Sequence, residues 1–254
     1  MFGGVIGEEL MEKVIGVLGY GEVGKAIASL YPSIRIKDLV NIHPLGSLDI
    51  LNICIPYTDD FCNIVEGEIR ECNPYLTIIH STVQVGTTEK LCKEFRGKNI
   101  VHSPIRGPHP PLGNEICKEA LRTFIKFIGY EDDDSGKIGE EHLQSMGFRT
   151  YKCKPSKITE LGKLLDTTYY GVCIAWHGEM AKLCKEAGVD FKEAVTLFNM
   201  TYNEGYKHMG WNHVLRPVLD PPGEKIGRHC VVPNAKLLET FMANPGSEWI
   251  LKYE

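Results

Sequence analysis

Short runs of aliphatic and β-branched residues alternate with stretches of helical periodicity between positions 13 and 153. The apolar runs are Val14–Leu18, Ile34–Ile36, Ile50–Ile55, Leu76–His80, Ile100–His102, Thr123–Ile128 and Thr150–Cys153. Helix-like segments lie between them at 22–31, 61–72, 87–95, 114–121 and 136–146. Strands apolar along their whole length are buried on both faces, and their alternation with helices predicts a doubly wound parallel sheet. The acidic run Glu131-Asp132-Asp133-Asp134 reads as a solvated turn. After Lys154-Pro155-Ser156 the period changes. Ile158, Leu161, Leu165, Thr168, Val172, Trp176, Met180, Leu183 and Ala187 recur at helical spacing. Pro155 and Ser156 suit the start of this helix over 157–187, and Gly188 suits its end. A further helix is expected over 190–204. The pattern predicts an α/β domain over 1–155 and an all-helical domain over 156–254, with a cleft between them.

Composition narrows the class. The 254 residues are 43% hydrophobic and 24% charged, the balance of a soluble globular protein rather than a disordered or fibrous one. Lys and Arg number 28 against 33 Asp and Glu, a formal charge of −5. That mild acidity argues against nucleic acid or an anionic membrane as the main partner. No apolar run approaches the roughly 18 residues of a membrane span. The segment Met1–Glu9 lacks the basic flank of a signal peptide, so a cytoplasmic location is expected. Nine scattered cysteines with no Cys-x-x-Cys pair predict neither a zinc site nor a disulfide framework.

The sequence Gly19-Tyr20-Gly21-Glu22-Val23-Gly24 follows the first predicted strand and opens a helix. In that context the three glycines serve a tight turn, a close approach to a pyrophosphate, and helix–strand packing. Free N–H groups at the helix start add attraction for phosphate. This is the dinucleotide fingerprint of a Rossmann-type fold. Asp38, nineteen residues past Gly19, is placed to accept from a ribose 2′-hydroxyl, which predicts NAD. Lys37 and Arg35 beside it would instead suit the 2′-phosphate of NADP. The ends of successive parallel strands put the nicotinamide near Pro56, Tyr57 and Thr82.

Four stretches together resemble the nucleotide-sugar dehydrogenases of the UDP-glucose and UDP-N-acetylmannosamine type. The glycine loop is the first, and Ser81-Thr82-Val83-Gln84-Val85-Gly86-Thr87-Thr88 is similar to that family's S-T-V-P-x-G-T-T. Glu160-Leu161-Gly162-Lys163-Leu164-Leu165-Asp166-Thr167-Thr168, continuing to Gly178-Glu179-Met180-Ala181, resembles its central helix. Gly227-Arg228-His229-Cys230-Val231-Val232-Pro233 resembles the G-G-x-C-x-P segment that carries the nucleophile. The resemblance implies a Rossmann-type domain followed by a helical domain that dimerises through the 157–187 helix. It implies catalytic roles for Cys230, Lys163, Thr82 and Thr167, with Arg106, Arg216 and His229 available to the substrate. The chain departs from the family at Thr167, where an asparagine is usual, and at Ile105, where a glutamate is usual. Pro233-Asn234-Ala235 replaces an acid after the cysteine, and a further nucleotide-binding domain is lacking, so a shortened form is expected.

The residue chemistry agrees with an oxidoreductase. A thiolate at Cys230 can hold an aldehyde as a thiohemiacetal and release an acid after a second oxidation. Arg228, His229 and Lys225 beside it favour the thiolate. Lys163, Thr167, Tyr170, Ile174 and His177 share one helical face, where the ammonium can stabilise an alkoxide. The expectation is an NAD(P)-dependent dehydrogenase oxidising an alcohol on a small or sugar-like substrate. Two other classes fit the same scaffold: a non-catalytic dinucleotide-binding protein, and a transferase or cofactor-maturation enzyme.

Overall fold

The computed structural model describes residues 13–107, 121–226 and 230–254. Residues 114–120 of the helix expected over 114–121, and the site candidate His229, lie outside the described residues. The chain divides into two compact units, one up to Lys163 and one from Leu164 onward.

The first unit is built on seven strands: β1 Ile15–Leu18, β2 Arg35–Lys37, β3 Ile50–Ile53, β4 Leu76–Ile79, β5 Asn99–His102, β6 Lys126–Gly129 and β7 Thr150–Cys153. Their order is β2-β1-β3-β4-β5-β6-β7. β1, β3 and β4 are buried along their whole length, as their unbroken apolar runs require. One apolar layer joins Ile15, Val17 and Val101 to Ile27 of α1 (Glu22–Ala28) and Leu143 of α4 (Asp133–Ser145). The other joins Leu51 and Ile53 to Phe61 of α2 (Phe61–Cys72) and Leu91 of α3 (Thr87–Glu94).

Two expectations need correction. The sheet is parallel only through β5. β6 pairs antiparallel with β5 through Gly129, its own last residue, and His102 at the end of β5, and β7 then runs parallel to β6. The acidic run is not a solvated turn: Asp132 caps α4 by accepting from Ser135 N at 2.9 Å, and Asp133 and Asp134 form its first turn. Carboxylates are stabilised there by the unpaired N–H groups of the helix start.

The 31-residue helix α5, Lys157–Ala187, has the bounds its apolar spacing predicts. The helix expected over 190–204 is instead a π-helical turn, Lys192–Leu197, running into α6, Phe198–His208. Asp190 starts it by accepting from Glu193 N at 3.0 Å. α7, Val231–Phe241, and α8, Pro245–Leu251, complete the second unit. Its core gathers Ala175, Ile226, Val231, Val232, Ala235, Ile250 and Tyr253. Gly171 lets α7 and α8 close in, since a Cβ there would lie 2.5 Å from Val231 Cγ1 and 2.6 Å from Ile250 Cδ1.

Candidate active site

The strand order reverses at β1, with β2 on one side and β3 on the other, and the carboxyl edge of such a reversal is where open α/β sheets bind ligands. The glycine loop stands there. Gly19 has φ +93°, and a Cβ on it would lie 2.8 Å from the Cys54 carbonyl carbon. A Cβ on Gly24 would lie 1.9 Å from the Gly19 oxygen. These two glycines are demanded by the protein's own packing. Gly21 differs: nothing lies within 4 Å of its Cβ position. It faces open space, the opening a pyrophosphate needs. Tyr20 and Glu22 are exposed and Val23 is half-buried, so they form the rim of this cradle.

At the end of β2, the half-buried Asp38 carboxylate accepts from Leu39 N at 2.7 Å. Its basic neighbours are engaged by the protein. Lys37 donates to Glu68 at 2.7 Å and Glu71 at 3.2 Å, and Arg35 donates to the carbonyls of Leu45 and Ser47.

At the other end of the edge, Pro56 is exposed and Tyr57 half-buried, with the Tyr57 hydroxyl donating to Gln84 Oε1 at 3.2 Å. Ser81 donates to Ile55 O at 2.6 Å, which ties the end of β4 to the end of β3 beside the half-buried Thr82. Two histidines lie behind this edge, and a third, His142, lies beside Ile50 and Leu76 at the amino ends of β3 and β4. His80 and His102 are wholly enclosed; burial pushes His80 well below its ordinary pKa and His102 down to about 3. Burial also pushes His142 down to about 4, and its Nε2 lies 2.8 Å from the Tyr31 hydroxyl. Lys163 is half-buried and near enough for its charge to act on His102 and on the buried Lys126. Ile105 packs in the sheet core with Leu121 and Ile128, so its position offers the site no carboxylate. Arg106 spreads its guanidinium against the rings of Phe127 and Phe124, 5.4 and 5.9 Å from their centroids.

A buried acid that the sequence motif includes without explaining is Glu160. Its two oxygens accept from Gly86 N at 2.6 Å and Thr88 N at 2.8 Å, which fixes the first turn of α3 to the first turn of α5. Desolvation raises its pKa, against the opposing pull of those N–H donors.

In the second unit, the half-buried Cys230 is the N-cap residue of α7, and its carbonyl accepts from Asn234 N at 3.1 Å. The Asn234 amide donates to Thr167 Oγ1 at 3.1 Å, both side chains being buried. Asn234 was not among the sequence candidates, yet it links Thr167 to the helix that Cys230 caps. The helical stripe is not uniform: Thr167 and His177 are buried while Tyr170 is 48% exposed. His177 turns Nδ1 to the Cys173 carbonyl at 2.7 Å, a packing role within the helix. Arg216 is exposed, with its guanidinium 3.5 Å from the Tyr202 ring centroid and its backbone held twice by Asn203. Among the described residues no group of three or more His, Cys, Asp and Glu side chains could hold a metal ion. No described helix is long and apolar enough to cross a membrane.

The chain resembles the UDP-N-acetyl-D-mannosamine dehydrogenases. It is 29% identical over 221 residues to that dehydrogenase of Methanocaldococcus jannaschii, a match spanning 76% of this chain and 47% of the relative. The chain thus spans about half the length of the curated relatives it matches. No family model matches it. Among solved structures, the UDP-D-ManNAc dehydrogenase of Pyrococcus horikoshii superposes with a TM-score of 0.70 at 20% identity, covering 94% of this chain and 68% of that one. The 3-hydroxyisobutyrate dehydrogenase of Mycobacterium tuberculosis, described with L-serine, superposes with a TM-score of 0.67 at 15% identity, covering 94% and 91%. The fold is that of the Rossmann-type dehydrogenases with a helical C-terminal region.

Proposed function

We propose that this chain is a nicotinamide-dinucleotide-dependent oxidoreductase acting on an alcohol of a sugar or sugar-nucleotide substrate. The observation that carries the reading is the glycine cradle, where Gly19 and Gly24 are closed by protein and Gly21 is left open. The cofactor is NAD. Asp38 has a carboxylate for the ribose hydroxyls, while Lys37 and Arg35 are held by internal acceptors and lost to a 2′-phosphate. Tyr20, Glu22 and Val23 rim the pyrophosphate, and Pro56, Tyr57 and Thr82 flank the nicotinamide. When bound, the cofactor accepts hydride from the alcohol carbon.

Lys163 stabilises the alkoxide as the hydroxyl proton leaves. Thr82 and Thr167 supply hydroxyl groups, Thr167 oriented by Asn234. Arg106, Arg216 and His229 hold the anionic part of the substrate. The Cys230 thiolate adds to the aldehyde carbon, and the oxygen takes up a proton to give a thiohemiacetal. With a second oxidised cofactor bound to take the second hydride, the thiohemiacetal would become a thioester on Cys230, which water would cleave to the acid and the free thiol. Full oxidation therefore consumes two oxidised cofactors and one water. The second unit and the exposed apolar side chains of α5, among them Leu165, Tyr169, Trp176 and Leu183, serve a homodimer.

A second reading, dinucleotide binding without turnover, is favoured by Ile105, which fills with aliphatic core the position of the family's glutamate. The test is cofactor reduction followed by absorbance, with NAD or NADP offered beside UDP-N-acetylmannosamine and simpler sugar alcohols. Cys230→Ser should stop acid formation and spare the first oxidation, and Lys163→Ala should lower the rate on the order of 10²-fold or more. Tight cofactor binding with no reduction on any alcohol would favour the second reading.

A further inference from the structure

Lys126 opens β6 inside the sheet and is 3% exposed. A buried lysine is costly unless its nitrogen is fully hydrogen-bonded. The bonds here go to the Ser103 carbonyl, the Pro104 carbonyl at 3.2 Å and His80 Nδ1 at 3.2 Å. The His80 tautomer follows from its contact with Asn52. Asn52 donates through its amide nitrogen to Gly16 O at 3.2 Å, so its Oδ1, 3.0 Å from His80 Nε2, must accept from that ring nitrogen. With that hydrogen on Nε2, the Nδ1 lone pair lies 3.2 Å from Lys126 Nζ and 3.1 Å from the Ser103 carbonyl oxygen, two acceptors that the Lys126 ammonium bridges. One chain of polar contacts thus runs from β6 through the ends of β5 and β4 to β3 and β1.

We propose that Lys126 is a positioning residue, which ties the ends of β4 and β5 together and so holds Thr82 and Arg106 in place for the nicotinamide half of the cofactor and the substrate. This rests on the dinucleotide reading above. Thr82 follows His80 by two residues, and Arg106 follows Pro104 by two, so each is fixed by one end of the tie. An ammonium has three N–H groups for these three acceptors. A neutral amine has two, and one tie is lost. Burial brings Lys126 down to about 7, with the Cys54 thiol opposing this and the Lys163 charge reinforcing it. Among the described residues, the titratable groups facing it are Cys54 after β3, His80 after β4, His102 on β5 and Lys163 on α5, none of them a carboxylate. The tie is complete in mild acid and loosens as the pH rises through neutrality.

The experiment titrates the full chain and its Lys126→Met variant with ADP-ribose and with NADH across neutral pH. ADP-ribose reports the glycine cradle, and NADH fluorescence adds the nicotinamide. In the wild type, the emission gain of bound NADH should fall with a midpoint near neutrality while ADP-ribose affinity stays level. In Lys126→Met, ADP-ribose should bind as before, NADH should bind about 5- to 10-fold more weakly, as expected for lost hydrogen bonds, and the midpoint should vanish. Unchanged NADH affinity with the same midpoint in the variant would overturn the proposal. Should the variant not fold, ¹³Cε-lysine spectra of the wild type decide. A lysine titrating near neutrality together with shifts at His80 supports the tie, and no titration below the ordinary value of about 10.4 overturns it. Failure of the wild type to bind either probe would overturn the dinucleotide reading itself, a result the lysine spectra distinguish.

Discussion

Glu160 and Cys230 show what single residues do here. The Glu160 carboxylate is buried and takes two backbone N–H groups at the start of α3. In Glu160→Gln one of those donors would face an amide N–H instead of an acceptor. A loss of about 1–3 kcal/mol is expected in denaturant unfolding, the usual cost of a buried donor left unsatisfied. Wild-type stability in that variant would remove the role. Among the thiols, burial pushes Cys54, Cys72 and Cys92 up to about 12. Cys230 is half-buried at the start of α7. Mass spectrometry after brief alkylation at neutral pH should find Cys230 modified first; first modification at Cys72 or Cys92 would contradict the assignment of the nucleophile.

The elements carry a pH dependence of their own. His80, His102 and His142 sit neutral among β3, β4, β5 and α4, with pKa values well below the ordinary 6.5, His102 at about 3 and His142 at about 4. The unfolded chain takes up protons at these positions below about pH 6.5, whereas the native chain takes them up only in much stronger acid. Between those limits the unfolded state binds more protons, so stability falls as the pH falls. Thermal unfolding should move steadily downward from pH 7 to pH 5, and His102→Gln should flatten part of that slope; a transition independent of pH over this range would contradict the neutral histidines. The same elements mark how far the sequence is legible. α5 and β7 have their expected bounds because strong local periodicity sets them, and Gly19 and Gly24 stand where the fingerprint puts them. The reversal of β6, the Asp132 cap and the Asn234–Thr167 bond were not legible. Each depends on a partner distant in the chain or on a capping contact that charge pattern alone does not reveal.

At the scale of the whole molecule, α5 leaves Ile158, Leu165, Tyr169, Trp176 and Leu183 between 45% and 67% exposed. Scattered apolar exposure is ordinary, but a row along one long helix marks a surface to be covered. Light scattering at tens of micromolar should return the mass of a homodimer, and Leu183→Glu should return a monomer; a monodisperse wild-type monomer would contradict the assembly. The central claim is that the glycine loop binds a nicotinamide dinucleotide. NADH titration of the wild type and Gly21→Val, read by fluorescence with an unfolding curve beside it, tests this most directly. The account predicts saturable binding by the wild type. It predicts loss of about 100-fold or more in the variant, whose Cβ would meet no protein atom within 4 Å but would stand where the pyrophosphate must come. The unfolding curve should not move. Equal NADH binding by the two proteins would contradict the account.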